Sequence, residues 1–207
     1  LDLYHNVLAS VGQCLAAASQ ILPQAARQVA AVGISNQRET FVLWDAEGNP
    51  ICNAVVWQCK RSVPVCERLK GTHVEAEVRA RTGLIIDPYF SGAKLSWLVE
   101  NDSAVRRAVA SGEAYFGTVD TWLLWKLTKG ASYCTDCTNA SRTLLFNIHS
   151  LDWDDTLIDA FGAQGVRLPA VLPSAHLFGE SDFEGQFPKP IPIAGMIGDS
   201  HAAAFGE

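Results

Sequence analysis

Residues 191–197 constrain the fold more than any other stretch. They are mostly apolar and strand-like, and they run through Gly198-Asp199-Ser200 straight into an alanine-rich segment with helical character. A strand, a short polar turn and a helix form the repeating unit of α/β domains, in which functional groups are expected on loops at strand ends. The rest of the chain repeats this alternation. Residues 1–21 place Leu3, Val7, Leu8, Val11 and Leu15 on one helical face and end near Pro23, and residues 29–34 predict a short buried strand leading into a polar cluster at 35–39. Residues 40–44 and 54–57 are β-rich runs on either side of Asp45-Ala46-Glu47-Gly48-Asn49-Pro50, whose Gly, Asn and Pro favour a reversal, so a hairpin is expected.

Helical periodicity returns over 63–82 and 93–111, interrupted at 83–92, where Pro88 forbids a continuous helix and leaves a loop facing something. Asp120 reads as the cap of a compact helix over 121–127, with Trp122, Leu123 and Trp125 available for packing and Gly130 just past its end. A polar stretch at 135–143 and a short helix at 154–161 precede turns marked by Pro169, Pro173, Pro188, Pro190 and Pro192. The pattern opens on Leu1 inside a helical repeat and closes in a helix with no stop signal. Both ends therefore read as cuts, and the expectation is one α/β domain incomplete at both ends.

Composition narrows the partners. With 207 residues, 48% of them hydrophobic, the chain can bury one sizeable core. A formal charge of -6 without a run of Lys or Arg offers no footprint for phosphate backbones or anionic lipid, so neither nucleic acid nor membrane is an expected partner. No stretch approaches the roughly 20 apolar residues that span a bilayer, and no basic-then-apolar leader opens the chain, which points to a cytoplasmic protein. Cys14, Cys52, Cys59, Cys66, Cys134 and Cys137 lack the density of a disulfide framework and are expected to be reduced. Cys134 and Cys137 have the spacing of half a zinc site, but no matching pair completes it, so no metal site is expected in the chain. Asn139-Ala140-Ser141 has the form of a glycosylation acceptor, which without a leader is accidental.

Three polar clusters follow or interrupt the expected strands: Asn36-Gln37-Arg38-Glu39, Trp57-Gln58 and Gly198-Asp199-Ser200. Adjacent Arg38 and Glu39 offer a fork of donors beside a carboxylate acceptor, which suits vicinal hydroxyls that both donate and accept. The same pair is also consistent with a local ion pair. Asp199, opening a helix, is either an N-cap or a base placed to take a hydroxyl proton.

The segment Tyr89-Phe90-Ser91-Gly92-Ala93-Lys94-Leu95-Ser96-Trp97-Leu98-Val99-Glu100-Asn101 resembles the signature of the FGGY carbohydrate kinases. Gly33-Ile34-Ser35-Asn36-Gln37-Arg38-Glu39-Thr40, Val56-Trp57-Gln58-Cys59, Thr82-Gly83-Leu84 and Gly117-Thr118-Val119-Asp120-Thr121-Trp122-Leu123 are similar to the glycerol-phosphorylating branch of that family. So are Asp136-Cys137-Thr138-Asn139-Ala140-Ser141-Arg142-Thr143 and the segment from Leu144 to Trp153. The resemblance implies a ribonuclease-H-like, actin-like ATPase domain with a mixed sheet flanked by helices. Residues 1–207 would be part of an N-terminal substrate-binding domain, with an ATP-binding C-terminal domain outside the chain.

The implied reaction is ATP-dependent phosphorylation, with Mg2+, of a primary hydroxyl of a small polyol, most often glycerol to glycerol 3-phosphate. Alternatives are another polyol or ketose, such as xylulose or erythritol, or a non-catalytic sugar-binding relative. By the same resemblance Asp199 would be the catalytic base, Arg38 and Glu39 would bond substrate hydroxyls, Trp57 would pack on the carbon skeleton and Tyr89 would close the pocket. Ser200 and His201 stand where the branch usually has two glutamines, the first of which contacts substrate; Ser200 is thus a candidate substrate contact, and a larger polyol is left open. His201 reads as a helix residue near the site. A homo-oligomer is also left open.

Overall fold

The computed structural model describes residues 2–207. In chain order the elements are α1 (Asp2–Ile21), α2 (Ala25–Gln28), β1 (Val32–Asn36), β2 (Phe41–Trp44), α3 (Val63–Leu69), α4 (His73–Thr82), α5 (Ser91–Asn101) and α6 (Ser103–Ala110). Then come β3 (Tyr115–Thr118), α7 (Val119–Leu127), β4 (Cys134–Asp136), α8 (Cys137–Ala140), β5 (Phe146–Asn147), β6 (Asp152–Trp153) and α9 (Asp155–Ala160). The last elements are β7 (Ala170–Leu172), β8 (Ala175–Ser181), β9 (Ile191–Gly198) and α10 (Asp199–Gly206).

The central sheet is three-stranded and mixed, in the order β1-β9-β8. β1 runs parallel to β9 and β8 antiparallel to it. One sheet face packs against α1 and α7, where Ile191, Ile193 and Met196 meet Tyr4, Leu8, Leu123 and Leu127. A second core gathers β2, β3 and helices α3 to α6 and α9 around Phe41, Leu43, Leu95, Phe116 and Phe161. Trp44 and Trp122, at 5.2 Å between ring centroids, form a smaller cluster of their own. Of the six tryptophans in the sequence, Trp44 and Trp122 are buried, whereas Trp57 is 36% exposed.

Several expectations are moved by packing. On α1 the deeply buried position is Tyr4, and Leu3 is 37% exposed; Leu1, where the helix was expected to begin, lies outside the described residues. The strand expected at 29–34 is displaced to Val32–Asn36, the stretch that pairs with β9. It is also not buried throughout: Gly33 and Ser35 face solvent. Residues 54–57 do not make a strand. Val55 alone exchanges two backbone bonds with Phe41, and β2 otherwise meets the returning chain in the short turn region around the Trp44–Pro50 bridge, where the Ile51 N–H donates to the Leu43 carbonyl at 2.8 Å. β2 pairs instead with β3, far along the chain.

Asp120 is not a cap. Thr118 occupies the cap position of α7, and Asp120 lies in the first turn with no solvent exposure. Its carboxylate accepts from the hydroxyls of Thr118 at 2.5 Å and Thr135 at 2.7 Å. Burial outweighs these bonds and pushes the Asp120 pKa up to about 6. A carboxylic acid whose folded pKa exceeds its unfolded one binds more protons when folded, so its contribution to stability falls as pH rises through that window. The stability of Asp120→Asn relative to wild type is therefore expected to rise between about pH 4 and pH 6 and then level off, as read by chemical denaturation of both proteins across that range.

Candidate active site

The parallel register of β1 and β9 sets Asn36 opposite Gly198. Both strands thus end on the same edge, and the residues that follow them, Arg38 and Glu39 after β1 and Asp199 after β9, emerge side by side. This is where open α/β sheets collect ligand-binding loops.

Arg38 lies across the backbone of Gly198. A β-carbon added at Gly198 would stand 2.3 Å from Arg38 Cδ, so the absence of a side chain there makes room for the arginine. One terminal guanidinium nitrogen donates to Ser200 Oγ at 3.0 Å, and the other faces His201 Nδ1 at 3.0 Å. A guanidinium only donates, so that ring nitrogen is the acceptor. Arg38 Nε is buried without a hydrogen-bond partner and lies 3.6 Å from Asp199 Oδ1. The carboxylate of Asp199, more than half exposed, accepts from the Ser200 N–H at 2.7 Å. Gly198, not Asp199, is the cap of α10, so Asp199 is the first helical residue.

The neighbouring Glu39 is 2% exposed and sits at φ +63°, a left-handed conformation unusual for a residue with a side chain. The buried Ser91 hydroxyl donates to the Glu39 carbonyl at 2.9 Å and helps to hold that conformation. The Glu39 carboxylate accepts from Arg142 Nε at 2.7 Å. The Arg142 guanidinium also lies over the rings of Tyr89, at 5.8 Å, and Phe90, at 4.8 Å. Tyr89 in turn meets the Trp57 ring edge-on at 5.6 Å. Burial, and next the negative charge of Glu39, raise the Tyr89 pKa, so its phenol stays protonated. Thr40 Oγ1 accepts from the Trp57 N–H at 3.1 Å, which ties the aromatic loop to the end of β1.

Arg38, Asp199 and Ser200 thus form one linked group, and Glu39, Tyr89 and Trp57 a second, joined through the peptide bond between Arg38 and Glu39. His201 is drawn into the first group, although its sequence marked it only as a helix residue. Gln58 is exposed, and Gln37 turns its amide to Thr40 Oγ1 at 3.3 Å. Two residues that contact the candidate site residues escaped a reading from residue types alone. Arg142 supplies the counter-charge to Glu39 from 103 positions away, and its signal was a lone cation in the polar stretch at 135–143. Lys94, 2% exposed, donates to the Tyr89 carbonyl, and burial lowers its pKa to about 8. A lysine inside an otherwise apolar helical run was the hint. Among the described residues no three His, Cys, Asp or Glu side chains gather as a metal centre would require.

Comparison with known proteins identifies the family to which this α/β domain belongs. Residues 4–206 match the N-terminal domain of the FGGY family of carbohydrate kinases, and the chain belongs to that family. It is 51% identical over 181 residues to glycerol kinase of Citrobacter koseri, covering 87% of this chain, and 52% identical over the same length to glycerol kinase of Shewanella sp. (strain MR-4). The chain spans 36% of the length of these relatives.

Among solved structures, Plasmodium falciparum glycerol kinase with ADP superposes with a TM-score of 0.79 at 34% identity, covering 86% of this chain and 36% of that one. A xylulose kinase from Lactobacillus acidophilus superposes with a TM-score of 0.83 over 98% of this chain and 40% of its own, at 17% identity, which speaks for the fold alone. These neighbours bear out the actin-like, ribonuclease-H-like architecture.

Gly198 has φ -65° and ψ 142°, which alanine adopts freely, and the three atoms nearest to a methyl there all belong to Arg38. Gly198→Ala is expected to change stability by less than about 1 kcal/mol while displacing Arg38 from Ser200 and His201. A crystal structure of the variant, together with its denaturation midpoint, checks both halves.

Proposed function

We propose that this chain is the larger part of the substrate-binding domain of an ATP-dependent polyol kinase that transfers a phosphoryl group to a primary hydroxyl, glycerol being the preferred acceptor. The observation that carries the reading is the placement of the exposed Asp199 carboxylate 3.6 Å from Arg38 Nε, at the strand edge that also holds Glu39. The identity to glycerol kinases directs it toward a three-carbon acceptor. Asp199 accepts the proton of the attacking hydroxyl. Arg38 and Glu39 hydrogen-bond the remaining hydroxyls, and Trp57 and Tyr89 cover the hydrocarbon edge.

ATP, with a divalent ion such as Mg2+, is the phosphoryl donor, and the ion supplies charge neutralisation at the transferring phosphate. Among the described residues no three His, Cys, Asp or Glu side chains cluster as ligands for that ion. The nucleotide-binding domain belongs to a further part of the protein, consistent with the 36% of the relatives' length covered here. Among the described residues no helix is long and apolar enough to cross a membrane.

A second reading, a kinase for a polyol or ketose of four or five carbons, is favoured by one observation. Ser200 and His201 occupy both terminal nitrogens of Arg38, and both could extend the row of groups that meets a longer chain of hydroxyls. A panel of glycerol, erythritol and xylulose on the complete enzyme separates the two, with the highest kcat/KM expected for glycerol. A large preference for a longer acceptor transfers the assignment to the second reading.

In the complete enzyme Asp199→Asn is expected to lower kcat by about 10²- to 10⁴-fold, the usual contribution of a positioned general base, with KM for the polyol nearly unchanged. A coupled assay that finds undiminished turnover removes Asp199 from the role of base.

A further inference from the structure

One buried carboxylate links the two strand ends that carry the site. Asp136 ends β4 with no solvent exposure, and its two oxygens accept five hydrogen bonds. The backbone N–H groups of Thr138, at 3.1 Å, and Asn139, at 3.0 Å, provide two, the ordinary duty of a helix cap at the start of α8. The other three come from side chains: Thr138 Oγ1 at 2.7 Å, Asn139 Nδ2 at 2.8 Å and Ser174 Oγ at 2.6 Å.

Two of these donors reach onward. Thr138 Oγ1, having given its proton to Asp136, accepts the N–H of Gly198 at 2.7 Å, one residue before Asp199. Asn139 Oδ1 accepts from Asn36 Nδ2 at 2.9 Å, and Asn36 is the last residue of β1, two before Arg38. The carboxylate therefore orients one hydroxyl and one amide, and each of these holds the end of a different strand.

We propose that Asp136, acting through Thr138 and Asn139, is a positioning residue that fixes Asp199 relative to Arg38 and Glu39. The inference rests on the polyol-kinase reading above. A cap for α8 needs neither the Thr138 hydroxyl bond to Gly198 nor the amide pair between Asn36 and Asn139. A charged hub, with hydrogen bonds stronger than neutral ones and a fixed direction for each donor, sets the spacing of the two strand ends more tightly than the β1–β9 ladder alone. Asp136 touches no reacting atom in this role.

Thr138→Val tests the link with the least disturbance, because valine keeps the shape of threonine but cannot accept from the Gly198 N–H. Thr138→Ser retains the hydroxyl. In the complete enzyme with glycerol and ATP, Thr138→Val is expected to lower kcat about 10- to 100-fold, the scale of a misplaced reacting group, with KM for ATP unchanged, while Thr138→Ser recovers most of the loss. Denaturation curves run alongside correct each rate for the folded fraction. Turnover equal to wild type in Thr138→Val, or a loss that Thr138→Ser shares, overturns the inference.

Amide hydrogen exchange at Gly198 separates this result from failure of the functional reading. Protection in wild type and Thr138→Ser, with fast exchange in Thr138→Val, supports the link even if the complete wild-type protein phosphorylates no polyol. Equal protection in all three overturns it.

Discussion

The candidate site depends on the parallel pairing of β1 with β9. Parallel neighbours send their C-terminal ends to the same edge of a sheet, so two segments separated by some 160 residues of sequence deliver a guanidinium and a carboxylate within 3.6 Å of each other. The pairing alone fixes the backbone but not the side-chain arrangement beyond each strand end, β1 continuing into the bend at 37–40 and β9 directly into α10. Side-chain bonds tighten it: Arg38 to Ser200 and His201 on the exposed side, and Asp136 with its partners on the buried side. The remainder of the chain serves this edge by packing α1 and α7 beneath the sheet and by carrying the aromatic loop on α5.

Local interactions decided which parts of the fold could be read from residues alone. The long amphipathic repeat of α1, the break at Pro88 and the strand before Gly198-Asp199-Ser200 all rest on spacing within a single segment, and each is present. The helical stretches expected at 63–82 and 93–111 each divide into two helices, a local error, and two larger errors arose where a distant partner set the outcome. β2 took β3 as its neighbour in place of residues 54–57, and Asp120 gave up the cap position to lie inside the core against Thr135. The start of β1 moved because backbone pairing with β9, not hydrophobicity, marks where a strand begins.

The site divides in the same way. Composition and spacing left Arg38 and Glu39 open between a hydroxyl grip and an ion pair of their own. In the structure each has a different charged neighbour: Asp199 for Arg38 and Arg142 for Glu39. The two do not neutralise one another, although they are adjacent in the chain, because the left-handed turn at Glu39 sends its side chain inward while Arg38 lies across Gly198. No pattern of residue types along a chain records such a divergence. The family resemblance named the participants, and the backbone geometry shows how neighbours come to serve separate groups.

Arg142 ties charge to shape in this half of the molecule. Its one guanidinium both meets the Glu39 carboxylate and roofs the rings of Tyr89 and Phe90. A shift of the Glu39 carboxylate is thereby transmitted to the aromatic rings, and a shift of the rings is felt by the carboxylate. Under the proposed polyol-kinase reading, a change of acceptor would therefore call for concerted exchange of Glu39, Tyr89 and Arg142, since Arg142 contacts both of the others.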